Sequence, residues 1–130
     1  MAGEVKFGDE NKIDNNGLRL ETSQLSLGKG TKTASASAGA ATLNQPSGVI
    51  TSESVTTAAA ATYTLTLTNS KIAATDIALV TLANGTNSAG APVITTATVT
   101  DSTLTVVVKN VHASAALNGT LVFMFTIIKV

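Results

Sequence analysis

Residues 120–130 read TLVFMFTIIKV. Leu121, Phe123, Phe125 and Ile127 fall on one parity, and Val122, Met124 and Ile128 fall on the other. Alternation of period two marks a β-strand, and apolar residues on both parities mark a strand covered on both sides. Such a strand is either central in a sheet or part of a subunit contact. Upstream, TYTLTLTN (62–69) is the simpler case, with Tyr63, Leu65 and Leu67 facing a core and threonines facing away. β-branched threonine suits that exposed face. DIALVTLA (76–83), PVITTATVT (92–100) and TLTVVVKNV (103–111) repeat the period, the last placing Leu104, Val106 and Val108 together.

Turn-forming residues separate these runs at Thr68-Asn69-Ser70, Asn84-Gly85, Ala89-Gly90-Ala91-Pro92, Asp101-Ser102 and Asn118-Gly119. No stretch keeps a helical period; Ala58–Ala61 favour helix, but the flanking threonines do not. Short strands at near-regular spacing predict an all-β fold, an antiparallel β-sandwich of two four-stranded sheets wound like a jelly roll. TASASAGAATL (33–43) reads either as a strand whose small side chains admit a close backbone or as a flexible linker. The domain is expected over 33–130, with an extended N-terminal arm over 1–32 that has room for one hairpin. A bulge near Thr22-Ser23 would reconcile the opposite parities of Leu18, Leu20 and Leu25, Leu27.

Charge is segregated. Ten of the sixteen charged residues lie in 1–32, and only Glu53, Lys71, Asp76, Asp101, Lys109 and Lys129 follow. The net charge is zero, which removes any general attraction to nucleic acid or anionic lipid. A charge-poor surface of Thr, Ser, Ala and Asn costs little to desolvate and suits permanent contact with neighbours. The start, MAGEVKFGDENK, lacks an apolar segment of the signal-peptide type, so a soluble, non-secreted chain is expected.

Chemistry-bearing residues are scarce. With no cysteine, disulfides and thiolate metal sites are excluded. His112 is the one histidine, and its neighbours Ala113, Ser114, Ala115 and Ala116 supply a single hydroxyl. Acid–base catalysis needs a partner it does not have nearby, so a structural loop role is the better reading. DENKIDNNG (9–17) fails as a calcium loop because Ile13 and Asp14 occupy the fifth and sixth places. GKGTK (28–32) lacks the spacing of a phosphate loop. Asn84-Gly85-Thr86 and Asn118-Gly119-Thr120 match a glycosylation sequon but read better as tight Asn-Gly turns. Few aromatics are available for stacking on sugars or bases, and the Thr-x-Thr alternation lacks the fixed repeat length of an ice-binding coil. No catalytic, cofactor-binding or metal-binding residue is assigned.

LNQPSGVIT with Asn44, Pro46, Ser47, Gly48, Ile50 and Thr51, TLTNS (66–70), NVHASAALNGT (110–120) and the apolar final strand together resemble a group of small bacteriophage structural domains. The resemblance covers roughly residues 43–130 and leaves the arm outside. It implies a non-enzymatic β-sandwich, usually trimeric, found in capsid decoration (cement) proteins and in tail-fibre or spike modules. No coiled coil or repeating shaft accompanies it here, which favours a decoration protein on the outer head surface, assembled in the host cytoplasm. The partner would be the major capsid protein. Candidate capsid contacts are Phe7, Ile13, Leu18, Arg19, Leu20, Leu25 and Leu27 of the arm. Candidate contacts within a homotrimer are Val122, Met124 and Ile128. In the alternative, a receptor- or glycan-binding module of a tail or head fibre, Asn84, Thr86, Asn87, Ser88 and His112 would form the loop site.

Overall fold

The strands follow from the alternating pattern, and in the computed structural model they build two packed sheets. The structure describes residues 11–14, 17–20 and 33–130. In the arm, β1 (Asn11–Asp14) and β2 (Gly17–Leu20) pair antiparallel, with Ile13 opposite Leu18 and Lys12 opposite Arg19. Phe7, Leu25, Leu27 and the Thr22-Ser23 bulge lie outside the described residues.

Sheet I runs in the order β3 (Thr33–Ser35), β5 (Ser47–Thr51), β10 (Leu121–Ile128), β7 (Ile77–Asn84). Sheet II runs β4 (Ala40–Thr42), β6 (Thr62–Thr68), β9 (Thr103–Asn110), β8 (Pro92–Thr100). The winding is jelly-roll-like. β5 and β10 lie side by side in one sheet, their chain neighbours β6 and β9 lie side by side in the other, and β7 and β8 flank them. Among the described residues there is no helix.

The sandwich is mixed, not purely antiparallel as expected. β3 runs parallel to β5, and β4 runs parallel to β6. The cause is the segment 33–42, which changes sheets. It rises as β3, reverses through Ala38 (φ 50°) and Gly39 (φ 74°), and descends as β4. Each short strand is then separated from its sheet partner by one strand of the opposite sheet, so the chain direction has reversed twice. The segment is thus neither a linker nor a single strand. Its small side chains allow the crossing: Ala36 and Ala41 are buried, and a Cβ on Gly39 would stand 2.4 Å from the Thr64 carbonyl oxygen. The Gly39 carbonyl accepts the Thr66 N–H at 2.7 Å.

Between the sheets lie Ile50, Leu65, Leu67, Leu104, Val106, Val108, Leu121, Phe123, Phe125 and Ile127. Tyr63 packs near Phe123, with ring centroids 6.4 Å apart. β10 is central in sheet I, as its apolar character suggested, but only its odd-numbered face meets sheet II. Val122 and Met124 are half-buried and Ile128 is 42% exposed on the outward face. Phe123 is 1% exposed at the middle of the core. Replacing it with alanine removes an aromatic ring that neighbouring strands cannot close over. Phe123→Ala should cost about 3–5 kcal/mol in denaturant unfolding, whereas Val122→Ala, on the outward face, should cost far less.

Candidate functional site

The residues that sequence reasoning placed in loops form a hydrogen-bonded cluster at one end of the sandwich. Asn110, at the end of β9, is fully buried. Its Oδ1 accepts the N–H groups of Ala91 (3.0 Å) and His112 (3.2 Å), and its Nδ2 donates to the carbonyls of Thr57 (3.1 Å) and Ala115 (2.8 Å). One amide therefore ties three loops together with no group left unsatisfied. His112 continues the arrangement. Its Nδ1 accepts the N–H groups of Ser114 (3.1 Å) and Ala115 (2.8 Å), which shapes the β9–β10 connection.

The two Asn-Gly-Thr triplets are not tight reversals. Gly85 and Gly119 do not adopt positive φ, so the expected turn conformation is absent. β7 ends where β10 begins, and the triplets clasp each other. The Thr86 N–H donates to Thr120 Oγ1 and the Thr120 N–H donates to Thr86 Oγ1, both at 2.9 Å. Glycine is needed for proximity. A Cβ on Gly119 would lie 2.5–2.6 Å from the Thr86 and Asn87 backbone, and one on Gly85 would lie 2.3 Å from Thr120 Oγ1. Asn118 Oδ1 accepts from the Ser88 and Ala89 N–H groups, while Asn87 bonds Asn84 and the Asn118 N–H. Gly119→Ala should force backbone apart and cost about 1–3 kcal/mol in thermal or denaturant unfolding.

The opposite end holds most of the charges of the sandwich. Asn69, also fully buried, donates to the Gln45 carbonyl and accepts the Lys71 N–H. Next to it, the Asp76 side chain is 1% exposed and bonds the Lys129 ammonium and the Ala73 N–H. The hydrogen bond from Lys129, seconded by Ala73, holds the Asp76 carboxyl below the usual carboxylate range. Its folded value is thus depressed relative to the unfolded chain. The resulting stability is present above the ordinary carboxylate range and is lost as pH falls through the folded value. Asp76→Asn should flatten the acid side of the stability–pH curve, measured as unfolding midpoint from neutral pH down to pH 3.

Glu53 joins the crossing segment to the sandwich. Its carboxylate accepts the Gly39 N–H at 2.9 Å and the Tyr63 hydroxyl at 3.1 Å. Burial first, then the Glu53 charge and hydrogen bond, push the Tyr63 phenol far above its ordinary value, so it remains a donor. Sequence reasoning missed this pair, because nothing in the spacing of residues 39, 53 and 63 marks it.

The outer faces remain. On sheet II, register places Thr68, Thr103 and Thr100 in one row, Thr66, Thr105 and Thr98 in the next, then Thr64, Val107 and Thr96, with Lys109 its only charge. On sheet I the rows are Ile77–Ile128, Leu79–Thr126–Ser47, Thr81–Met124–Val49–Thr33 and Ala83–Val122–Thr51–Ser35. Among the described residues, that face has no charge. Val122, Met124 and Ile128, expected at an oligomer contact, lie together on it, joined by Ile77 and Leu79, which sequence reasoning assigned to no contact. Of the arm candidates, Ile13, Leu18, Arg19 and Leu20 sit in the β1–β2 hairpin. Among the described residues no group of three or more His, Asp or Glu side chains could hold a metal ion, and no helix is long and apolar enough to cross a membrane. Compared with family models, curated proteins and solved structures, the chain finds no match in any of the three.

Proposed function

We propose that the chain is a non-enzymatic structural subunit of a bacteriophage virion, a decoration protein that binds the major capsid protein on the outer head surface as a homotrimer. The observation that carries this reading is the division of charge across the fold. Ten charges lie in residues 1–32, while among the described strand residues the two outer sheet faces together bear only Lys109. Uncharged faces lose little on desolvation and favour lasting contacts between subunits. A charged arm with leucines is suited to a different, larger surface. Exposed ion pairs contribute only about 0–1 kcal/mol each, so Ile13, Leu18, Leu20 and their neighbours would supply much of the anchoring.

The receptor- or glycan-binding alternative has weaker support. Asn84, Thr86, Asn87 and Ser88 direct polar groups at one another or at Asn118 and Thr120, and the His112 Nδ1 is occupied by backbone. Quantitative mass spectrometry of purified virions tests the proposal. Hundreds of copies per particle are expected. A count of six to eighteen copies would move the protein to the tail, and none would remove it from the virion.

A further inference from the structure

From the outward face of sheet I we infer that β7 and β10 form the contact between copies of this chain. The inference deepens the homo-oligomer part of the reading above by naming its surface. Ile77 and Leu79 are 51% and 56% exposed, and Ile128, paired with Ile77, is 42% exposed. Val122, Met124 and Val49 extend the apolar surface toward β5. An exposed apolar cluster of this kind, set among uncharged Thr81, Thr126 and Ser47, on a small domain marks an interaction site.

The edges of the sheets point to the same place. β3 and β4 are three residues long. β8 begins with Pro92 and carries a register shift between Ile94 and Thr96. Short strands, proline and bulges are the usual guards against edge pairing. β7 has none of them: it runs eight residues in unbroken register with β10, without proline or charge. Among the described residues no strand pairs with the outer edge of β7, and such an apolar, unguarded edge beside exposed isoleucine and leucine is a surface that a neighbour covers.

The occupant is a second copy, for reasons of charge and size. Among the described residues the face is neutral, and at its rim Asp76 and Lys129 neutralise each other, so identical copies meet there with little repulsion. The three, five, eight and eight residues of β3, β5, β10 and β7, with strands spaced about 4.8 Å apart and about 3.3 Å of rise per residue, give a footprint of about 380 Å². The face alone falls short of the about 600 Å² per partner at which specific interfaces begin, and contact through the β7 edge supplies the remainder. Lys129 also donates to the Lys71 carbonyl, so the clamp with Asp76 holds the ends of β7 and β10 together and fixes the Ile77–Ile128 pair.

Light scattering of the purified full chain at micromolar concentration provides the test. The unaltered protein should be an oligomer, and Leu79→Glu or Met124→Lys should reduce it to the 13.0 kDa of one chain. Thr105→Glu, on the opposite face, should leave the oligomer intact. Unchanged circular dichroism and a cooperative unfolding transition would show that the variants fold. Because the chain has no cysteine, Leu79→Cys adds a second readout: maleimide labelling should slow at least tenfold at high protein concentration relative to dilute protein. An oligomer that survives Leu79→Glu and Met124→Lys, or labelling that ignores concentration, overturns the assignment of this face and leaves the oligomeric reading standing. A monomeric unaltered chain overturns both.

Discussion

Burial of the odd-numbered side chains of β10 against sheet II is the interaction on which the rest of the fold depends. Leu121, Phe123, Phe125 and Ile127 span the length of the core, and β10 is also the strand that joins β5 to β7. Removing that row would deprive Leu65, Leu67, Leu104, Val106 and Val108 of their opposing layer. With only three phenylalanines and one tyrosine in the chain, the interior is filled by small aliphatic groups. Each large side chain therefore carries a disproportionate share of the apolar contact.

Given that core, the ends of the sandwich are set by amides rather than by apolar contacts. Asn69 and Asn110 are completely buried at opposite ends, and each bonds backbone from loops distant in sequence. A buried amide costs stability unless its valences are filled. Here, among the described residues, no buried side-chain nitrogen or oxygen lacks a partner. The loops are consequently held in one arrangement by geometry rather than by bulk. His112 belongs to this scaffolding: its ring nitrogen acts as an acceptor for a turn.

The strands were legible because their period is local. Tyr63, Leu65 and Leu67, or Leu104, Val106 and Val108, declare an inward face within a few residues. What escaped sequence reasoning depends on partners far apart in the chain. Gly119 is required by Thr86 and Asn87, Gly39 by Thr64, and Glu53 by Tyr63. An Asn-Gly pair taken alone signals a reversal, and only the antiparallel approach of β7 to β10 converts it into a clasp. The sheet change within 33–42 was hidden for a similar reason, since alternating Ala and Ser suit either a strand or a linker. On the candidate face, Val122, Met124 and Ile128 were visible from apolar residues on both parities of one strand. Ile77 and Leu79 needed the register to join them.

Placing β10 at the centre of sheet I has a kinetic consequence. Phe123 pairs with Ile50, so the strand that completes the sheet comes from the opposite end of the domain. Topologies dominated by such distant pairings close slowly, because loop entropy is lost before contacts compensate. During synthesis β5 and β7 would emerge long before the strand that separates them. Until it arrives, two strands rich in β-branched residues stand without their common neighbour and could pair wrongly. β5 and β7 carry no charge of their own, so the strands themselves offer little electrostatic guard against that pairing. The length of that exposed interval is set by the time taken to make residues 85–128, which separate the end of β7 from the completion of β10.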